Sequence, residues 1–190
     1  MKKGCLIFVG ILVLAVIIFG SWFIRGYNTV AKLDEAVKAS WRQVDTVLQR
    51  RYDLIPNLVN TVKGYAAHEE KVFTEVTKLR SQWGAAKSEG EKMDAAKGLE
   101  GAISRLLLVA ENYPQLKSNE NFLNLQAQLE GTENRISVQR MRYNDSVRIF
   151  NTYIRTFPGS IFAGIRGLSK PAAYFEAGEK AREAPKVKFD

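Results

Sequence analysis

Arg50–Val59 reads RRYDLIPNLV, and the proline within it decides how the chain is organised. Proline lacks the N–H that a helix interior uses, and its ring collides with the preceding turn. Yet the residues on both sides share one pattern. Val30, Leu33, Val37, Trp41, Val44 and Leu48 recur at three- and four-residue steps, and Tyr52, Ile55, Val59, Val62 and Ala66 continue the series in phase. A loop would usually reset that phase, so the spacing predicts one buried helical face across the proline. Two readings satisfy it. One long helix can run from Asn28 to about Ala66 with a kink at Pro56, freeing the Tyr52 carbonyl for a donor such as Arg50, Arg51 or Asn57. Alternatively, Asp53 caps a fresh helix whose first turn holds Pro56, where a missing N–H costs nothing.

Towards the N-terminus, Gly4–Ile24 (GCLIFVGILVLAVIIFGSWFI) contains no charged residue. At ~1.5 Å per residue a helix of that length spans the ~30 Å hydrocarbon layer of a bilayer. Trp22 and Phe23 stand where interfacial aromatics belong, and Arg25 closes the run. The bulky end is a poor signal-peptidase site, and Cys5 precedes the apolar run instead of following it as a lipoprotein cysteine would. An uncleaved anchor is expected over residues 1–25, with residues 4–24 contacting membrane lipid. Lys2 and Lys3 favour a cytoplasmic N-terminus and an extracytoplasmic domain; Arg25, Lys32, Lys38 and Arg42 pull the other way.

Towards the C-terminus the period stays helical. Glu69 and Glu70 open a second helix through Val72, Val76, Leu79 and Trp83, and Ser88 with Glu91 reads as a capping box for a third. That helix carries Met93, Leu99, Ile103, Leu106 and Ala110 until Pro114 stops it. Ser118 or Asn119 caps a fourth, with Phe122, Leu125, Leu129, Ile136, Tyr143, Val147, Phe150 and Ile154 on one stripe up to Pro158. No alternating strand pattern is found. The sequence predicts an all-α chain: a transmembrane helix, then an antiparallel four-helix bundle over residues 26–158 with two long and two short helices. Residues 159–190 form a C-terminal segment with a basic tail.

The chemistry-bearing residues exclude more than they propose. The net charge is +8, but Lys and Arg are scattered among acids, so no nucleic-acid partner is expected. One cysteine and one histidine, His68, rule out the usual zinc sets, and no metal or other cofactor is expected. No G-x-S-x-G occurs, the carboxylates lie on helix faces, and Gly159, Gly164 and Gly167 follow a helix where a phosphate cradle would follow a strand. No catalytic residue is assigned, and the chain is expected not to be an enzyme.

YNTVAKLDEAVKASWRQVDTVLQRRYDLIPNLVNTVKGYAAHEE and AENYPQLKSNENFLNLQAQLEGTENRISVQRMRYNDSVRIFNTYIRTFP resemble, in order, the two distinctive blocks of the LemA family. The resemblance implies a small membrane-anchored helical protein of bacteria with no secure enzymatic activity; one group of members serves in building the magnetosome membrane. Its signature positions here are Arg51, Asp53, Pro56, Asn57, Tyr113, Pro114, Glu133, Asn134, Tyr143, Asn144 and Asn151. They are structural positions and carry no catalytic role. Glu133, Asn134, Asn144 and Asn151 border one apolar seam, and Asn57 and Asn60 another, either as a hydrogen-bonded register or as edge positions touching water.

Past Pro158 the sequence turns apolar again. Trp22, Ile161, Phe162, Ile165 and Arg166 are expected to contact membrane or a neighbouring subunit, since large apolar side chains near a bilayer are costly in water. The expected function is a scaffold that forms homo-oligomers or organises other membrane and envelope proteins; an adaptor that binds a partner peptide or helix is the alternative. The orientation is testable. With Cys5→Ser as background, Ser169→Cys should react with an impermeant thiol reagent in intact spheroplasts, and labelling confined to lysed cells would place the domain in the cytoplasm.

Overall fold

A computed structural model describes residues 2–176, with backbone alone for Lys2, Lys3 and Cys5. The basic tail residues Lys180, Arg182, Lys186 and Lys188 lie outside the described residues. Six helices follow one another: α1 (Lys2–Lys63), α2 (Glu70–Ala85), α3 (Glu89–Glu111), α4 (Pro114–Lys117), α5 (Glu120–Arg155) and α6 (Gly159–Arg166). The described residues contain no strand, so the chain is all-α. Two helices are long, α1 with 62 residues and α5 with 36, and α2 and α3 have 16 and 23.

Of the two readings of Pro56, the continuous helix is the observed one: α1 runs from the apolar segment through Pro56 to Lys63. Gly64 and Tyr65 close it with backbone bonds to Asn60 and Val62. The Ser88 hydroxyl accepts the Glu91 N–H at 3.2 Å, and the Glu91 carboxylate accepts the N–H of Lys87, one residue earlier than a standard capping box. Asn119, not Ser118, caps α5, taking the Phe122 N–H at 3.1 Å. Two short helices were not foreseen. Pro114 does not simply stop α3, which ends at Glu111; it opens α4 from the first-turn position where its missing N–H is harmless. Residues 159–166 are helical and end on Gly167, whose φ of 69° is a left-handed cap that residues with a Cβ rarely adopt.

The described chain divides into two compact units. The first comprises the described residues up to Trp41 with Arg142–Tyr174, and the second Arg42–Met141 with the described residues from Phe175. In the first, Val30, Val37 and Trp41 from α1 and Tyr143, Val147, Phe150 and Ile154 from α5 are buried. Trp41 meets Tyr143 edge-on, ring centroids 5.5 Å apart. The second unit is built on one apolar cluster that includes Ile55, Leu58, Val62, Val76, Ile103, Leu106, Leu116, Phe122 and Leu129. On α5 the stripe is completed by a polar residue: Thr132 is buried, its hydroxyl bonded to the Leu129 carbonyl at 2.8 Å.

Trp41, Leu48, Leu106, Leu129 and Tyr143 are all buried, as the periodicity predicts. Trp41→Ala should therefore lower unfolding stability of the detergent-solubilised chain by about 3–5 kcal/mol, the usual cost of deleting a core aromatic. A loss below about 1 kcal/mol in a urea titration would mean that Trp41 is not core.

Candidate functional site

In the first unit the last aromatics of the apolar segment meet the end of the fold. The ring of Phe162 on α6 lies 5.3 Å from Trp22 and 5.5 Å from Phe23, edge-on to both. It fits because Gly26 has no side chain: a Cβ there would fall within the Phe162 ring. Arg166 places its guanidinium 4.0 Å over Tyr27, and the Tyr153 hydroxyl donates to the Gly26 carbonyl at 3.3 Å. The five residues expected to contact membrane or a subunit thus divide. Phe162 is 1 % exposed and packs inward on its own chain, while Ile161 and Ile165 face outward at 49 % and 55 %. Trp22 is 41 % exposed, and Arg166 is half-buried.

After α6 the chain is tied back by two signature side chains. Asn151, buried within α5, donates to the Ala172 carbonyl at 2.9 Å and accepts the Ala172 N–H at 2.8 Å, so its carboxamide stands in for a backbone partner. Tyr143 donates to the Ala173 carbonyl at 2.9 Å. Asn144 is half-buried one position further along.

The second unit brings Arg51 and Glu133 together as an ion pair, 82 residues apart in sequence. Around Arg51 lies a layer of stacked rings and cations. Tyr52 contacts Trp83 at 4.5 Å, Arg80 lies 4.5 Å over Tyr52, and Lys92 bonds Asp45 at 2.6 Å. Arg140 pairs with Glu100 at 3.3 Å and covers Phe175 at 4.3 Å. The space between Leu48, Arg51, Tyr52, Trp83, Glu100 and Arg140 is about 10 Å³, on the scale of a single water.

Other signature residues serve local structure. Asp53 is exposed and accepts from Gln49 at 2.7 Å. Tyr113 precedes α4 and packs against the core of the second unit, Pro114 starts α4, and Asn134 is exposed. Asn57 and Asn60 line an open groove of about 770 Å³ with Thr61, Asn121, Asn124 and Gln128, a surface of carboxamides without a charge. Among the described residues no group of His, Cys, Asp and Glu could hold a metal ion. The sequence singles out Phe162 and Asn151 but not their partners, because Gly26 and Ala172 carry no side-chain signal.

These features define a helical domain carried on one N-terminal helix that is long and apolar enough to cross a membrane. Residues 40–189 match the LemA family, and the chain belongs to it. It is similar to the magnetosome proteins MamQ 2 and MamQ 1 of Paramagnetospirillum magneticum (strain ATCC 700264 / AMB-1), each 28 % identical over 190 residues, covering 86 % of this chain and 70 % of the relative. The magnetosome protein MamQ of Magnetospirillum gryphiswaldense (strain DSM 6361 / JCM 21280 / NBRC 15271 / MSR-1) is 24 % identical over 203 residues, 92 % of this chain and 75 % of the relative.

The Gly26–Phe162 contact yields a test with a change of sign. Gly26→Ala should destabilise the intact chain by about 1–3 kcal/mol through overpacking. With Phe162→Ala already present, the same change should become neutral or mildly stabilising, because alanine favours a helix over glycine by roughly 0.5–1 kcal/mol. Equal costs in both backgrounds, read from thermal melts, would show that the ring does not occupy the Gly26 site.

Proposed function

We propose that the chain is a non-enzymatic scaffold of the bacterial cytoplasmic membrane, anchored through residues 4–24, whose copies associate with one another and organise other envelope proteins. The observation that carries this reading is the continuity of α1. The helix passes from the apolar segment into the buried stripe of the domain with no intervening linker. Without a flexible linker after the anchor, the first unit is held close to the bilayer, which suits a structural element better than a tethered catalyst. The relatives are named for the magnetosome, a cellular structure rather than a reaction, which supports the same reading.

An adaptor role is the second reading, favoured by the carboxamide groove at Asn57, Asn60, Asn121 and Asn124, whose polar groups can satisfy the main chain of a bound peptide. Size separates the two. Detergent-purified full-length protein should scatter light as a homo-oligomer of defined mass, at concentrations where detergent micelles alone do not associate. A particle no larger than one chain plus its micelle would contradict the scaffold and leave the adaptor.

A further inference from the structure

We propose that α6 is an interfacial helix, a second membrane contact that lays Ile161 and Ile165 into the lipid–water boundary and gathers anionic phospholipid headgroups on the basic side chains around it. The inference rests on residues 4–24 being the bilayer anchor, and the experiment below reads that anchor separately.

The helix has two faces of different fate. Phe162 and Ala163 are fully buried inside the first unit. Ile161 and Ile165, one turn apart, share the outer face, and Phe157 just ahead of the helix is 79 % exposed. Continuity with the anchor says what covers that face. Leu6, Phe8, Leu12, Val16 and Phe19 are all more than half exposed, and in a membrane-spanning helix such side chains lie at the level of the acyl chains. That lipid ends near Trp22 and Phe23, the residues whose rings touch Phe162. A helix held at ring-contact distance from that level lies within a side chain's length of the hydrocarbon boundary.

Charge supplies the second observation. Arg25 adjoins Gly26, Arg155 ends α5 just before α6, and Lys170 follows it; all three are exposed and form no ion pair among the described residues. Arg166 lies half-buried over Tyr27 and forms no ion pair among the described residues. In the same unit Asp145 pairs with Arg148 and Asp34 with Lys38, so these acids are already engaged. Phosphate headgroups provide the missing counter-charge while the isoleucines enter the acyl boundary, the division of labour that amphipathic interfacial helices use.

The test uses the full chain with Cys5→Ser and single cysteines replacing Ile161, Ile165, Val13 or Lys78, spin-labelled and reconstituted into phosphatidylcholine vesicles with or without phosphatidylglycerol. Collision rates with oxygen and with a water-soluble nickel chelate report depth. Positions 161 and 165 should show a several-fold loss of nickel collisions relative to the exposed α2 position 78, and phosphatidylglycerol should increase that loss. Nickel access equal to position 78 overturns the proposal. So does spin–spin broadening at 161 or 165 that disappears on dilution with unlabelled protein, which would assign the face to a second copy. Indifference to phosphatidylglycerol overturns the headgroup assignment. Aqueous behaviour at Val13 would overturn the anchor and α6 together, whereas lipid at Val13 with water at 161 and 165 overturns α6 alone.

Discussion

Gly26 has no side chain, and the ring of Phe162 occupies the space one would fill. This contact joins the exit of the apolar segment to the far end of the chain. Without it α6 has little reason to exist: eight residues are too few for a helix to hold itself together in water, and its stability must come from the face it buries. Burying the Phe162 side chain contributes about 1.5–3 kcal/mol, which offsets the backbone ordering cost of about one or two residues of the helix at ~1–2 kcal/mol each. Asn151 and Tyr143 extend the effect by holding Ala172 and Ala173, so the segment after α6 is fixed at a second point on α5.

The second unit is organised by a different constraint. Arg51 has a half-buried side chain, and a charge there needs a partner to avoid a desolvation penalty. Glu133 supplies it. The neighbouring residues follow the same rule, with Lys92 set against Asp45, Arg140 against Glu100, and Arg80 against the face of Tyr52. Within RRYDLIPNLV, Arg51 and Tyr52 build this layer and Pro56 sits half-buried within an uninterrupted helix, while Asp53 and Asn57 are exposed. The layer is an architecture of paired charges and stacked rings that fixes how α1, α2, α3 and α5 meet within the unit.

Long-period features were legible in the sequence, and contacts between distant residues were not. The apolar stripes of α1, α3 and α5 were readable because each repeats over many turns, and a phase kept across Pro56 pointed to one helix. The short helices escaped for the opposite reason. Pro114 reads as a stop because the residue before a proline avoids helical geometry, yet the same ring suits the first turn of α4. Pro158 and Gly159 likewise read as the stop of the preceding helix, yet residues 159–166 are helical and pack Phe162 on Trp22 and Phe23. Phe162 was recognisable as a contact residue, but its direction depended on a glycine more than a hundred positions away. Asn151 was recognisable as a seam residue, but no local pattern could announce that its partner is the backbone of Ala172.

α6 is held against the anchor's exit, and amide hydrogen exchange on the intact chain in bilayer vesicles reads that contact most directly. The backbone bonds of Ala163, Gly164, Ile165 and Arg166 are helical, and Leu168 donates to Ala163 at 2.9 Å. Those amides should exchange as slowly as the last turn of α5, and Gly26→Val should release both them and the Ala172 amide. Exchange of residues 163–168 at the rate of unstructured peptide in the unmodified chain would contradict the account.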